Sequence, residues 1–173
     1  SWLVVAGGWE PRQFAEDRLP TQSEIAAAAP DHRVYVQLLY GRVLLSPGGF
    51  EALKIADDAG LMQRVKIEDG PDGAPTGWLL GDARTISELF DRLPRPTMAQ
   101  QAAGTRAFLR SLNALGLTGV MDPGGYNMPL DAYRALFQVW RERGLTIRVR
   151  YNLCAPRRGH ELEDFKSLTA AMP

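Results

Sequence analysis

Leu112-Asn113-Ala114-Leu115-Gly116-Leu117-Thr118-Gly119-Val120-Met121-Asp122-Pro123-Gly124-Gly125 is the stretch that decides the fold. It reads as a helix end, a glycine stop, a short apolar strand and a polar, glycine-rich loop. Upstream, Thr97-Met98-Ala99-Gln100 has the spacing of a capping box, in which an N-cap hydroxyl and a side chain three residues on satisfy each other's free backbone N–H. Met98, Ala102, Thr105, Leu109 and Leu112 follow at helical intervals, and Phe108 and Leu115 widen the stripe. Gly116 stands where a left-handed residue closes a helix. Beyond the loop, Tyr133, Leu136, Phe137 and Trp140 repeat the i, i+3, i+4, i+7 pattern, Gly144 stops it, and Leu145 to Leu153 reads as a second strand. Helix, strand, helix, strand is the order of parallel strands joined by a crossover helix. In such sheets the loops after the strands' carboxyl ends carry the chemistry. Asp122 to Tyr126 is such a loop.

Working outward toward the N-terminus, Trp2 to Ala6 is wholly apolar, which predicts a strand buried on both faces. Gly7-Gly8 ends it and an irregular polar stretch opens at Trp9. Thr21-Gln22-Ser23-Glu24 is a second capping box, heading a helix that Pro30 stops. Val34 to Tyr40 is rich in β-formers. Ser46-Pro47 places an N-cap and an N1 proline, predicting a helix to about Ala56 despite Gly48-Gly49. Val65–Ile67 and Thr76–Leu80 flank two Asp/Gly turn signals and predict a β-hairpin with a long loop. Thr85 or Asp82 caps a helix through Ile86, Leu89, Phe90 and Leu93. Pro94-Arg95-Pro96 breaks the chain between helices. Arg157-Arg158-Gly159 leads into a last helix with Leu162, Phe165, Leu168 and Thr169.

The totals exclude several classes. Lys plus Arg is 20 and Asp plus Glu is 20, so the formal net charge is zero. A general nucleic-acid or anionic-membrane binder needs a basic excess. No apolar run approaches the ~18 residues of a transmembrane helix. The lone Cys154 excludes an internal disulfide and suits a reducing, cytoplasmic setting. The start at Ser1 directly before a strand, and the end at Ala171-Met172-Pro173 directly after a helix, read as an internal piece of a larger protein.

Candidate chemistry is sparse. His32 and His160 lack a partner at metal-ligand spacing and read as solvated loop residues. Cys154 reads as buried packing; a reactive thiol would need a cation such as Arg157 or Arg158 beside it. Asp122 is either a turn-forming residue or a polar group at the mouth of a sheet or barrel. Gly7-Gly8 and Gly124-Gly125 match no phosphate-binding fingerprint, and no Gly-x-Ser-x-Gly elbow is present. Thr146, Arg148, Arg150 and Asn152 give the last strand one polar, basic face. Such a face either pairs with carboxylates, the simpler expectation, or lines a polar interior.

An ordered set of phrases resembles amidohydrolase family 3, the branch of the metal-dependent amidohydrolase superfamily that includes the N-substituted formamide deformylases. They are Val4-Val5-Ala6-Gly7-Gly8-Trp9 with Phe14, Arg18-Leu19-Pro20-Thr21 with Glu24, and Ala29-Pro30-Asp31-His32-Arg33-Val34-Tyr35-Val36. Asp72-Gly73-Ala74-Pro75-Thr76-Gly77, Gly116-Leu117-Thr118-Gly119-Val120-Met121-Asp122 and Leu145-Thr146-Ile147-Arg148-Val149 complete the set. The resemblance implies an α/β chain: part of a (β/α)8 TIM barrel with an irregular insertion containing a β-hairpin. On that reading residues 1–173 are one fragment, with 1–9 a barrel strand, 10–95 insertion-like and 96–173 the barrel's βα units. The implied reaction is hydrolysis of an amide-type, non-peptide C–N bond in a small molecule by metal-activated water, with zinc the expected divalent ion.

The family's His-x-His pair would lie upstream of Ser1 and its remaining ligands downstream of Pro173, so no metal ligand or catalytic residue transfers to this chain. The family's Asn before the helix after Tyr40 is replaced by Ser46-Pro47-Gly48-Gly49-Phe50, and its His near Tyr40-Gly41-Arg42 is missing. Trp9, Tyr40, Arg42 and Asp122 are the candidate substrate-lining residues. Trp9 and Tyr40 combine an apolar face with a polar handle, and Arg42 suits a carboxylate. A homo-oligomer that covers strand edges at Trp2–Ala6 and Arg148–Leu153 fits the fragment reading. The rival is a non-catalytic α/β ligand-binding or regulatory module; a cysteine enzyme built on Cys154 is a third.

Overall fold

A computed structural model describes residues 1–70, 73–123, 130–155 and 157–170. The chain divides into two compact units, Ser1–Pro94 and Arg95–Pro173.

The first unit is a five-stranded mixed sheet in the order β1-β2-β3-β5-β4. Its strands are β1 (Trp2–Ala6), β2 (Arg33–Leu38), β3 (Arg42–Leu45), β4 (Lys66–Asp69) and β5 (Pro75–Leu80). Only β1 and β2 are parallel; β2–β3, β3–β5 and β4–β5 are antiparallel. The predicted β4–β5 hairpin is present, closed by Gly73 at φ +77°. Strand β3 carries no turn signal that would mark it in the sequence. Its three-residue link to β2 turns at Leu39, which takes a left-handed φ of +50° where a signature turn would carry Asn or Gly.

Alternation along the central strands feeds two separate cores. Tyr35, Val43, Leu45 and Leu79 point to one face and pack with Leu53, Ile55, Leu61, Ile86 and Leu89. These last five come from α2 (Pro47–Ala52), α3 (Ala59–Met62), α4 (Ala83–Asp91) and the turns that follow them. Val34, Val36, Leu44 and Trp78 point to the other face, against Trp9, Leu19 and the Ile25 and Ala29 of α1 (Gln22–Ala28) and its cap. Burial of both faces explains why β2, β3 and β5 read as near-continuous apolar runs.

Strand β1 departs from expectation. It pairs with β2 alone, at the edge of the sheet, and Leu3, Val4 and Val5 are 40, 44 and 38% exposed rather than buried. An all-apolar run predicts burial on both faces, yet an edge strand is buried only as far as neighbours cover it.

Helix α2 ends at Ala52, short of the predicted Ala56, because Lys54 turns left-handed at φ +50°. Its glycine pair has a packing reason. A Cβ on Gly49 would stand 2.9 Å from the carbonyl oxygen of Val34, so the helix can approach β2 only without a side chain there. Ser46, buried at the helix start, accepts from Gly49 N at 3.2 Å and from Val34 N at 2.9 Å. Of the two expected caps for α4, Asp82 is the one, accepting from Thr85 N at 2.8 Å.

The second unit holds a parallel pair, β6 (Gly119–Asp122) and β7 (Arg148–Tyr151), linked by α6 (Arg134–Arg141) and preceded by α5 (Met98–Ala114). The capping box of α5 is present: Gln100 N donates to Thr97 Oγ1 and Thr97 N donates to Gln100 Oε1. Gly116, at φ +79°, closes the helix as read. At the end of α6 the left-handed residue is Arg143, at φ +56°, not Gly144. Gly144 is small for a different reason: a Cβ there would lie 3.2 Å from Val139. Ala102, Leu109, Val139 and Ile147 form the core, joined by Val120 and Val149 from the strands. Strand β7 is shorter than the predicted Leu145–Leu153. The last helix, α7 (Glu161–Ala170), leaves Leu162 and Phe165 exposed and buries Asp164 instead. The unit is a strand–helix–strand of the kind found in α/β sheets; the described residues do not close a barrel.

Candidate functional site

Three of the four candidate residues gather at one end of the five-stranded sheet. The chain leaves β1 at Ala6, beside Gln37, and Gly7 N donates to the Gln37 carbonyl. Trp9 follows; its indole Nε1 donates to the same carbonyl at 3.0 Å, and its ring lies 5.7 Å from Phe14 and 6.3 Å from Trp78. Tyr40 projects from the β2–β3 turn with 66% of its surface exposed. Arg42 opens β3 opposite Leu38, and its guanidinium meets Glu68 Oε1 of β4 at 3.2 Å. Gln37 ties this end together, accepting from the Tyr35 hydroxyl and donating to the Leu39 carbonyl. The end therefore offers a half-buried indole, an exposed phenol and a cation already paired with a carboxylate.

Asp122 lies in the second unit, at the carboxyl end of β6. It shares a face of its strand with Val120, the face that packs on the helices. Its Oδ2 accepts from the Tyr133 hydroxyl at 2.8 Å. The Tyr133 ring lies 4.9 Å from Tyr151 and 6.3 Å from Phe137. Burial first, then the bond to the Asp122 carboxylate, pushes the Tyr133 phenol up to about 12. Sequence reasoning missed this partner: Tyr133 stands eleven residues away across a glycine-rich loop and reads only as the first position of a helical stripe. Gly124, Gly125 and Tyr126, the rest of that predicted loop, lie outside the described residues. A shallow apolar groove lined by Phe137, Trp140, Val149 and Tyr151 flanks the cluster.

Among the described residues no helix covers the opposite face of β6 and β7. Gly119, Met121, Arg148 and Arg150 line it and are exposed, Met121 by 65%, and Thr146 and Asn152 continue it. The expected pairing of these arginines with carboxylates is not found among the described residues. Arg148 instead donates to the Thr118 hydroxyl at 3.2 Å.

Cys154 is exposed, which corrects its expected role as buried packing. It stands in the irregular segment after β7. Arg157 is held by Asp164, donating Nε to Oδ1 at 2.8 Å, and this bond draws the Asp164 carboxyl below its usual range. His32 and His160 are both exposed, and His160 contacts Glu163 at 3.1 Å.

Among the described residues no three His, Cys, Asp or Glu side chains come together as a metal would require. The donors among the described residues thus do not fit a catalytic divalent ion. Among the described residues no helix is long and apolar enough to cross a membrane. The sequence model of one protein family, the Amidohydrolase family, matches residues 1–173. No curated protein and no solved structure matches.

Proposed function

The chain belongs to the amidohydrolase family, within the metal-dependent amidohydrolase superfamily, and on that premise we infer that it forms part of a hydrolase that cleaves an amide-type C–N bond in a small molecule. The match along the whole of 1–173 carries this reading, and the parallel β6–α6–β7 unit supports it, being the repeating element of α/β barrels. The likeness to formamide deformylases belongs to the same inference, as do zinc as the metal, a cytoplasmic setting and a homo-oligomeric state.

The chain's own contribution is scaffold and pocket wall. Trp9 and Tyr40 supply apolar surface with a polar edge for substrate packing. Arg42, oriented by Glu68, and Asp122, oriented by Tyr133, are polar groups fixed before any substrate arrives. Prior orientation lowers the entropy lost on binding. No metal-dependent step runs through these residues, and the 173-residue chain by itself is expected to be catalytically silent.

The test compares the 173-residue chain with the protein expressed through its whole native reading frame. Metal content and hydrolysis of N-acyl and N-formyl amines are measured on both. One or two metals and turnover in the long form alone support the reading. A long form that neither binds metal nor hydrolyses amides, while the chain binds a ligand unaided, replaces it with the α/β binding module.

A further inference from the structure

We propose that the first unit holds a binding site for a small, neutral, largely apolar molecule carrying one N–H or O–H group, in the cavity where strands β3 and β5 part. The site is independent of the hydrolase reading, since it lies wholly within Ser1–Pro94 and needs no metal.

The cavity follows from the register of the sheet. Arg42, Val43 and Leu44 of β3 pair with Leu80, Leu79 and Trp78 of β5, so Leu45 would next meet Gly77. Gly77 instead takes a φ of +86°, and the ladder between the two strands stops. The Leu45 carbonyl is satisfied by Gln22, the first residue of α1, whose Nε2 donates to it at 2.8 Å. A Cβ on Gly77 would stand 2.9 Å from the Cβ of Gln22, so glycine also makes room for that side chain. At this junction opens a cavity of about 320 Å³, at the lower end of the ~300–1,000 Å³ range of ligand pockets.

The lining selects the ligand. Pro47 and Phe50 of α2, Ile67 of β4, and Pro75 and Leu79 of β5 make the walls apolar. Among the described residues no charged side chain lines the cavity, so a charged ligand would lose hydration there without gaining a partner. Gln22 supplies the polar side chain. Its amide nitrogen is held by the Leu45 carbonyl, and its Oε1 accepts no hydrogen bond among the described residues. A fixed acceptor without a donor, set in an apolar wall, is the kind of group that orients ligands in such pockets. An N–H or O–H on the ligand completes it, whereas a ligand with acceptors alone leaves it unpaired.

The test follows binding to the 173-residue chain by NMR, with three probes: indole, 1-methylindole, which lacks the N–H, and the anion indole-3-carboxylate. Indole is expected to bind with a millimolar Kd, roughly fivefold more tightly than 1-methylindole, as one hydrogen bond gives. The anion should bind roughly tenfold more weakly than indole, having lost hydration without a partner. Intermolecular NOEs should connect indole to Phe50, Ile67 and Leu79, which locates the site without any substitution. Gln22→Leu removes the preference for indole over 1-methylindole, and Pro75→Trp, which fills the cavity, removes binding of both. Trp140→Ala, in the groove of the second unit, leaves both unchanged. Circular dichroism confirms that each variant is folded. Absence of saturable indole binding, equal affinity for indole and 1-methylindole, an unchanged Gln22→Leu, or NOEs to Phe137 and Trp140 instead overturns the proposal. So does a second copy seated in the cavity, seen as a dimer in sedimentation with Phe50 and Ile67 shifts that follow protein rather than indole concentration. Binding is read without turnover, so an empty cavity and absence of amide hydrolysis are separate results.

Discussion

The two units bury their sheets differently. In Ser1–Pro94 the central strands are covered on both faces, and Val34, Tyr35, Val36, Val43, Leu44 and Leu45 are all buried. In Arg95–Pro173 the parallel pair is covered on one face, and β6 and β7 alternate between half-buried and exposed positions along their whole length. The same backbone element therefore shows two sequence signatures, and the layers around it, not strand propensity, decide which one appears.

The largest effect expected from this contrast is in the cores. Trp78→Ala removes a fully buried indole that also donates to the Pro20 carbonyl at 2.9 Å, and should cost about 3–5 kcal/mol. Leu109→Ala, in the one-sided core, should fall at the low end of the ~2–5 kcal/mol range for such truncations, since its core cluster is small, with Ala102, Val139 and Ile147 as the buried partners. Urea denaturation with hydrogen exchange resolved by unit measures both; a costlier Leu109→Ala would break the comparison.

Next in size is the Tyr133–Asp122 bond. Tyr133→Phe should cost about 1.5–3 kcal/mol, the range for hydrogen bonds to charged groups, and little more once Asp122 is already Asn. The phenol supplies a second readout. Its folded pKa lies above its unfolded one, so its stabilisation is whole below about 10 and is lost as pH rises through about 12. Ultraviolet titration of Asp122→Asn should show that tyrosine ionising at lower pH than in wild type.

The smallest effect is at the surface of the first unit. Arg18 first, then the backbone and hydroxyl of Thr21, hold the Glu24 carboxyl down to about 2, against an ordinary 4.5. A depressed carboxyl stabilises above its unfolded pKa and loses that contribution as pH falls through the folded value. Amide protection in the first turn of α1 should be steady near neutrality and decline between about pH 5 and pH 2. Protection that stays flat across that window would remove Glu24 from the cap.

The helices and the parallel unit were legible because their signals are local: capping boxes at Thr21 and Thr97, a left-handed glycine at Gly116, and stripes at helical spacing. The β2–β3 hairpin was not, since Leu39 occupies a left-handed position without a turn-forming side chain. That omission hid the gathering of Trp9, Tyr40 and Arg42, which depends on the register of β3. The exposure of β1 was hidden for another reason. A strand with apolar residues at every position carries no alternation to mark which face is covered. The basic face of β7 was legible as a face, because Arg148 and Arg150 alternate with Val149 and Tyr151. Their lack of carboxylate partners among the described residues was not, because pairing depends on what other elements bring near.

The edge position of β1 also sets an order of assembly. Strand β2 meets β3 across three residues, but β1 meets β2 only after some twenty-six residues, including α1, have been folded back. Longer closures cost more chain entropy and repay it later. The sheet should therefore nucleate at β2–β3 and acquire β1 last, and the first opening on the way to unfolding should release Trp2–Ala6. The amides of β1 that pair with β2 would then exchange with solvent faster than those between β2 and β3, and the reverse order would place the nucleus elsewhere.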